Sequence, residues 1–155
     1  MALILFDTNI FIDMLNGVHE AAVELGSYDF PAISTITYME LRVGQIARPH
    51  EVPILEAVLA EFAVLPLDPQ ITEIAIEIRG NSLVNGPKVK LPDAIIGATA
   101  AAYGIPIVTR NPTDFSWSGI VVHIPYDYDS ATGRVTNVRS AFSNFKPRPA
   151  ITRIR

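Results

Sequence analysis

The sequence predicts an α/β domain built on a parallel sheet, and three observations carry that prediction. Short continuous apolar runs alternate with segments whose apolar residues recur at helical spacing, so strands alternate with helices. At 155 residues the chain has the size of one domain and can bury a sizeable core. Hydrophobic residues are 49% and charged residues 18%, with mean hydropathy +0.29, which excludes general disorder.

The elements follow in order. Residues 2–6, Ala-Leu-Ile-Leu-Phe, read as a buried parallel strand. Asp7 and Thr8 can cap a helix over Asn9–Leu15, stopped by Gly17. A second helix fits His19–Leu25, and Pro31-Ala32-Ile33 reads as a short strand. Ser34 and Thr35 can cap a helix that runs to Ala47 and is ended by Pro49. Within residues 51–62, Ile54, Val58, Leu59 and Phe62 recur at helical spacing. Val64–Leu67 is a brief strand or loop. Asp68 and Pro69 open a helix with Ile71, Ile74, Ala75 and Ile78 on one face. Residues 80–90 are polar, contain Asn85-Gly86-Pro87 and read as a loop. Pro92 opens the most apolar helix, Asp93–Tyr103, which Gly104 stops. Ile107–Thr109 and Ile120–Val122 are strands. The body is complete near residue 124. Residues 125–155 form a basic extension whose order the pattern leaves open, and no internal repeat is visible.

Composition excludes several chemistries. With no cysteine there is no disulfide, thiolate metal site or thiol nucleophile. His19, His50 and His123 are far apart and form no paired-ligand motif. The N-terminus has no basic region and carries Asp7 and Asp13 in its apolar run, unlike a secretory signal. The longest apolar stretch, Ala94–Val108, is broken by Gly97, Gly104 and Pro106 and falls short of the ~20 residues a membrane span needs. The expectation is a soluble cytoplasmic protein with no membrane partner. Charge is divided unevenly. Residues 1–130 hold all 16 acids and 6 bases, a net −10, whereas residues 131–155 hold 6 bases and no acid, a net +6. The basic segment is either a solvated tail or an arm for polyanions or for the acidic body.

Most acids, such as Glu56, Glu61, Glu73 and Glu77, sit on polar helix faces and read as solvated. Four are placed differently. Asp7 directly follows the first strand, at the edge where open α/β sheets bind ligands. Asp93 lies in the first turn of an otherwise apolar helix, where helix capping is the plain alternative. Asp114 lies in the loop after Thr109, and Asn111-Pro112-Thr113-Asp114 is also a good turn sequence. Glu40 is mid-helix, with Ile36 and Gly44 at helical spacing, which predicts an inward-facing carboxylate in need of a partner. If topology brings the four to one edge, their like charges raise each other's pKa. A bound dication relieves that, and an all-oxygen ligand set suits Mg²⁺ or Mn²⁺. Such a site activates water and steadies charge on a phosphodiester.

The chain resembles the PIN-domain ribonucleases, most closely the VapC-like toxins of toxin–antitoxin pairs. Four stretches carry the resemblance: Phe6-Asp7-Thr8-Asn9-Ile10-Phe11-Ile12-Asp13, Ser34–Gly44 around Met39-Glu40-Leu41, Leu91-Pro92-Asp93-Ala94 to Ala100, and Val108-Thr109-Arg110-Asn111-Pro112-Thr113-Asp114-Phe115. They stand in the family's order within residues 1–124. The resemblance implies a three-layer PIN-like α/β fold, a short parallel central sheet flanked by helices. It implies a Mg²⁺-dependent endoribonuclease (Mn²⁺ substituting), an RNA substrate, a cognate antitoxin and a homodimer formed through the helices. By resemblance the four acids are Asp7, Glu40, Asp93 and Asp114. Asp7 and Asp93 would bind the metal, and Glu40 and Asp114 would complete the pocket and orient the attacking water. Thr8, Asn9, Thr109 and Asn111 would support them by hydrogen bonds, helix capping being the other reading of Thr8 and Asn9. The extension beyond residue 124 departs from the family pattern.

Other α/β readings fit less well. A dehalogenase-like phosphatase needs Asp-x-Asp after the first strand, and Asn9 stands in the second position. A receiver domain needs a lysine after a late strand, and Lys88, Lys90 and Lys146 do not follow one. The alternative function is a non-catalytic PIN-like module that binds RNA or protein. Arg42, Arg48, Arg110 and the extension are the available phosphate contacts, with Arg42 and Arg110 nearest the site residues in sequence. Phe11, Phe115 and Trp117 could stack on bases, although core packing is the stronger expectation for Phe11 and Phe115.

Overall fold

A computed structural model describes residues 2–116 and 119–141. Five parallel strands form the central sheet: β1 (Leu3–Phe6), β2 (Phe30–Ser34), β3 (Ala63–Leu65), β4 (Ile107–Val108) and β5 (Val122–His123). Their order is β3-β2-β1-β4-β5. The N-terminal strand is thus central, and connections leave it in both directions. The crevice between β1 and β4 is the switch point where such sheets hold ligands. Register places Phe6 beside Val108, so Asp7 and Thr109 emerge together at the C-terminal edge.

Six helices flank the sheet: α1 (Thr8–Leu15), α2 (His19–Leu25), α3 (Thr35–Ala47), α4 (Val52–Leu59), α5 (Pro69–Asn85) and α6 (Leu91–Tyr103). Alternate residues of β1 face opposite sides, as strand geometry requires. Ile4 and Phe6 pack with Ile10, Phe11, Leu25, Tyr28, Leu41 and Leu55 on one side, and Leu5 packs with Ile96, Ala100 and Phe115 on the other. On the first side Phe62 meets Phe6 and Phe11 edge-on at 5.4 and 5.0 Å. On the second, α5 lies outside α6 through Ile71, Ala75, Ile78, Ala94 and Ala98. The α/β architecture with a parallel sheet is the one the sequence predicts.

Some elements differ from expectation. In α4 the buried residue is Leu55, whereas Ile54 is 58% exposed, because the register of burial is set by the neighbouring helices. Helix α5 does not stop near Gly80 but continues to Asn85. Its outer location needs only a narrow inward stripe, Ile71, Ala75, Ile78 and Ser82, so its last turns are polar and resemble a loop in sequence. The last sheet strand lies at Val122–His123 rather than 120–122. Glu40 is exposed rather than inward, and α3 instead buries Thr37, Leu41 and Gln45.

Within the basic extension, β6 (Asp127–Asp129) and β7 (Arg134–Thr136) form an antiparallel hairpin. Tyr126 is fully buried in the first core, with Tyr128, Val135 and Ala141 packed against it. Lys146, Arg148, Arg153 and Arg155 lie outside the described residues, as does Trp117. No helix among the described residues is long and apolar enough to cross a membrane.

Candidate active site

The C-terminal edge of the sheet gathers Asp7, Asp93 and Asp114 from three segments: the β1–α1 junction, the first turn of α6, and the short helical turn Pro112–Phe115 after β4. Asp7 is buried and caps α1, its Oδ1 accepting the Thr8 N–H at 2.8 Å. Its Oδ2 accepts from the Thr109 hydroxyl at 2.7 Å and from Asn9 Nδ2 at 3.3 Å. Asn9 Nδ2 also donates to Thr109 Oγ1, and Asn9 Oδ1 accepts the Arg110 N–H. The first strand's end and the fourth strand's end are therefore locked around one carboxylate.

Asp114 accepts from Asn111 Nδ2 at 2.8 Å, and the Asn111 N–H donates to Thr109 Oγ1 at 2.9 Å. Glu40 approaches from α3, where its Oε1 accepts from the Thr8 hydroxyl at 2.8 Å. The Thr37 hydroxyl lies 2.9 Å from the same Thr8 oxygen. Asp93 accepts no hydrogen bond among the described residues, and its charge lies in the first turn of α6, where the helix N-terminus favours it.

These acids feel one another. Burial pushes the Asp7 carboxyl up to about 6, with the charges of Asp93 and Asp114 adding and the bonds from Thr109 and Thr8 opposing. Asp93 is likewise pushed up to about 6, by burial and then by the charges of Asp114 and Glu40. Burial raises Asp114, and the nearby Lys90 ammonium lowers it. Lys90 was not legible as a site residue, although it stands three residues before Asp93.

A divalent cation fits this chemistry. Among the described residues no group of three Asp, Glu or His side chains is arranged to hold an ion. Mg²⁺, however, keeps several waters and typically takes one or two carboxylates. Asp7 and Asp93 are two carboxylates at one edge, and the Asp93 charge raises Asp7, a repulsion that a cation relieves.

Arg110 is turned to another task. Its guanidinium forms a two-point ion pair with Asp13, which is 1% exposed, through Nε to Oδ2 and Nη2 to Oδ1. The Tyr126 hydroxyl donates to Asp13 Oδ2 at 2.7 Å, and the Arg110 guanidinium lies 5.4 Å from the centre of the Tyr128 ring. Two of its N–H groups are thus committed inside the fold, which weakens its case as a phosphate contact. Arg42 lies exposed on α3, over the Tyr38 ring at 5.7 Å. Phe11 and Phe115 are buried in the core and offer no stacking surface. Thr37, Asp13 and Tyr126 were missed in sequence, since a buried aspartate one helical turn past Asn9 gives no local sign of a partner at residue 126.

The chain is similar to known proteins in sequence and in fold. The sequence model of the PIN domain matches residues 4–116. Ribonuclease VapC5 of Mycobacterium tuberculosis (strain ATCC 25618 / H37Rv) is 30% identical over 113 residues, spanning 68% of this chain and 80% of that protein. A toxin–antitoxin complex from Klebsiella pneumoniae contains a chain 36% identical, with TM-score 0.66, covering 82% of this chain and 99% of that one. A DNA-bound VapBC from Salmonella typhimurium contains one 26% identical, with TM-score 0.68, covering 79% of this chain and 98% of that one.

Proposed function

The chain belongs to the PIN-domain family, and from that premise we propose that it is a metal-dependent endoribonuclease, the toxin of a VapBC-type toxin–antitoxin pair. The observation that carries the reading is the shared charge of Asp7, Asp93, Asp114 and Glu40 at one sheet edge, with two carboxyls held near 6. That is an arrangement a protein has little reason to keep unless a cation neutralises it. The ribonuclease and toxin–antitoxin relatives support the same reading.

Asp7 and Asp93 would hold Mg²⁺, with Mn²⁺ able to substitute. Bound there, the ion would supply a more acidic water and positive charge beside a phosphodiester. The remaining work belongs to the chain. Thr8, Thr109 and Asn9 fix Asp7 so that its oxygens need not reorganise when the ion arrives. Asn111 holds Asp114, and Thr8 holds Glu40. These two carboxylates would orient the attacking water and accept its proton.

A cognate antitoxin and a second copy of the chain are the expected partners. Met39, Val43 and Ile46 of α3, exposed at 54, 68 and 86%, support a protein interface on that helix. The test is cleavage of a single-stranded RNA by purified protein in Mg²⁺, in Mn²⁺ and in EDTA. Cleavage with either ion and none in EDTA is expected. Binding of RNA without cleavage in any of the three would instead establish the non-catalytic module.

A further inference from the structure

A cavity of about 340 Å³ opens between α5, the loop after it and the turn that carries Asp114. Thr113 and Ser116 line it on one side, with Asp114 between them in sequence. Val89 lines it opposite, next to Lys90, whose charge reaches both Asp93 and Asp114. Its volume is that of a small-ligand pocket.

The walls select for one kind of guest. Ile78 and Val89 are buried and give an apolar floor. Asn81 and Asn85 stand one turn apart on α5, exposed, and neither amide makes a hydrogen bond among the described residues. Glu77 is the ionisable residue of the described lining, so a phosphate is disfavoured inside. The loop wall is already in place. The Ser82 hydroxyl donates to the Arg79 carbonyl at 2.7 Å and accepts the Val89 N–H at 3.0 Å, and Arg79 Nη1 donates to the Val89 carbonyl at 3.1 Å.

We propose that this cavity receives an unpaired nucleobase of the RNA strand whose backbone lies at the carboxylates, and that Asn81 and Asn85 read its edge. A base has apolar faces and a neutral rim of donors and acceptors. A side-chain amide supplies both partners for such a rim, and its free groups are not otherwise used. Lys88 and Lys90, exposed on either side of Val89, are placed for the phosphates that flank the base. The inference rests on the ribonuclease reading and adds to it a determinant of sequence preference.

Two measurements test it. In the first, the protein cleaves a pool of short single-stranded RNAs randomised around one position, with Mg²⁺ or Mn²⁺, and products are sequenced. Wild type is expected to favour one base at a fixed distance from the cut. Asn81→Leu and Asn85→Leu should narrow that preference by roughly tenfold to a hundredfold. Glu73→Gln, on the same helix but outside the cavity, should keep it. If wild type cleaves no RNA, the ribonuclease reading falls. If it cleaves without preference, or both leucine variants keep the preference, the cavity is not a base site while the nuclease stands. In the second, AMP, CMP, GMP and UMP are titrated separately into metal-free Asp93→Asn protein. The side-chain amide NMR signals of Asn81 and Asn85 should move with at least one nucleotide. Signals that stay fixed with all four overturn the inference without reference to activity.

Discussion

Both oxygens of Asp7 already accept hydrogen bonds from protein donors, and its neighbour Asp93 has none. The two therefore fail differently when changed. Asp7→Asn keeps the cap on the Thr8 N–H but turns an amide N–H toward Thr109 Oγ1, which already accepts from Asn9 Nδ2 and the Asn111 N–H, whereas Asp93→Asn breaks no hydrogen bond and removes one of several like charges. Each should lower RNA cleavage by more than about a hundredfold, the upper end of the loss usual for residues one layer further out. Asp93→Asn should not lower the melting temperature of metal-free protein. Near wild-type cleavage by either purified variant would remove that residue from the site. The same charges set a pH dependence. With carboxyls near 6 in the fold and near 3.8 in the open chain, the native state keeps protons that the unfolded chain has lost. Stability from these groups is therefore lost as pH rises from about 4 to 6. In EDTA, wild type should lose melting temperature relative to Asp93→Asn across that window. Mg²⁺ should restore it at pH 7 and do little at pH 4, where its ligands are protonated. Parallel wild-type and variant curves would show that the carboxylates do not share a site.

At the scale of elements, the tie between α1 and the segment after β5 is the most consequential contact outside the acidic edge. Asp13 is buried and holds Arg110 and Tyr126 together. Removing one partner of a buried ion pair leaves the other uncompensated, so Asp13→Ala should cost roughly 3–5 kcal/mol in urea denaturation. A loss below about 1 kcal/mol would mean that the pair is solvated in solution. Elements of this protein were readable wherever burial follows a simple rule. The apolar run at residues 2–6, the Ser34 cap and the Gly104 stop all sit where sequence puts them. The end of α5 was hidden because an outer helix buries so little, and the inward face of α4 because neighbours choose between Ile54 and Leu55. The acids stood out by position at strand and helix ends. Glu40 was noticed for the wrong reason: it is exposed, and Thr8 rather than burial explains its placement. Lys90 and the Asp13–Arg110–Tyr126 cluster were invisible, since their partners lie across the fold.

For the whole molecule, charge is the dominant asymmetry. The acidic body meets a polyanion only through local cations, whereas residues 142–155 carry Lys146, Arg148, Arg153 and Arg155. Because residues 127–136 form a hairpin and Ala141 packs on the core, the proper truncation follows Ala141. If the segment touches RNA, that truncation should flatten the salt dependence of binding by about 0.7 per lost phosphate contact. Equal slopes for full-length and truncated protein would show that those four cations are passive.

The tie at Asp13 also orders events in time. On a ribosome the first strand and first helix are made early, yet Asp7 waits for a threonine 102 residues later and Asp13 for a tyrosine 113 residues later. At ordinary elongation speeds the second interval is roughly 6 to 23 seconds. Through that time the growing chain holds Asp13 without the tyrosine that completes its burial. A chain that stops short of residue 126 can still pair Asp13 with Arg110 and Asp7 with Thr109, but Asp13 Oδ2 lacks the tyrosine hydroxyl. The contacts that complete the burial of Asp13 are thus among the last that this part of the chain can form.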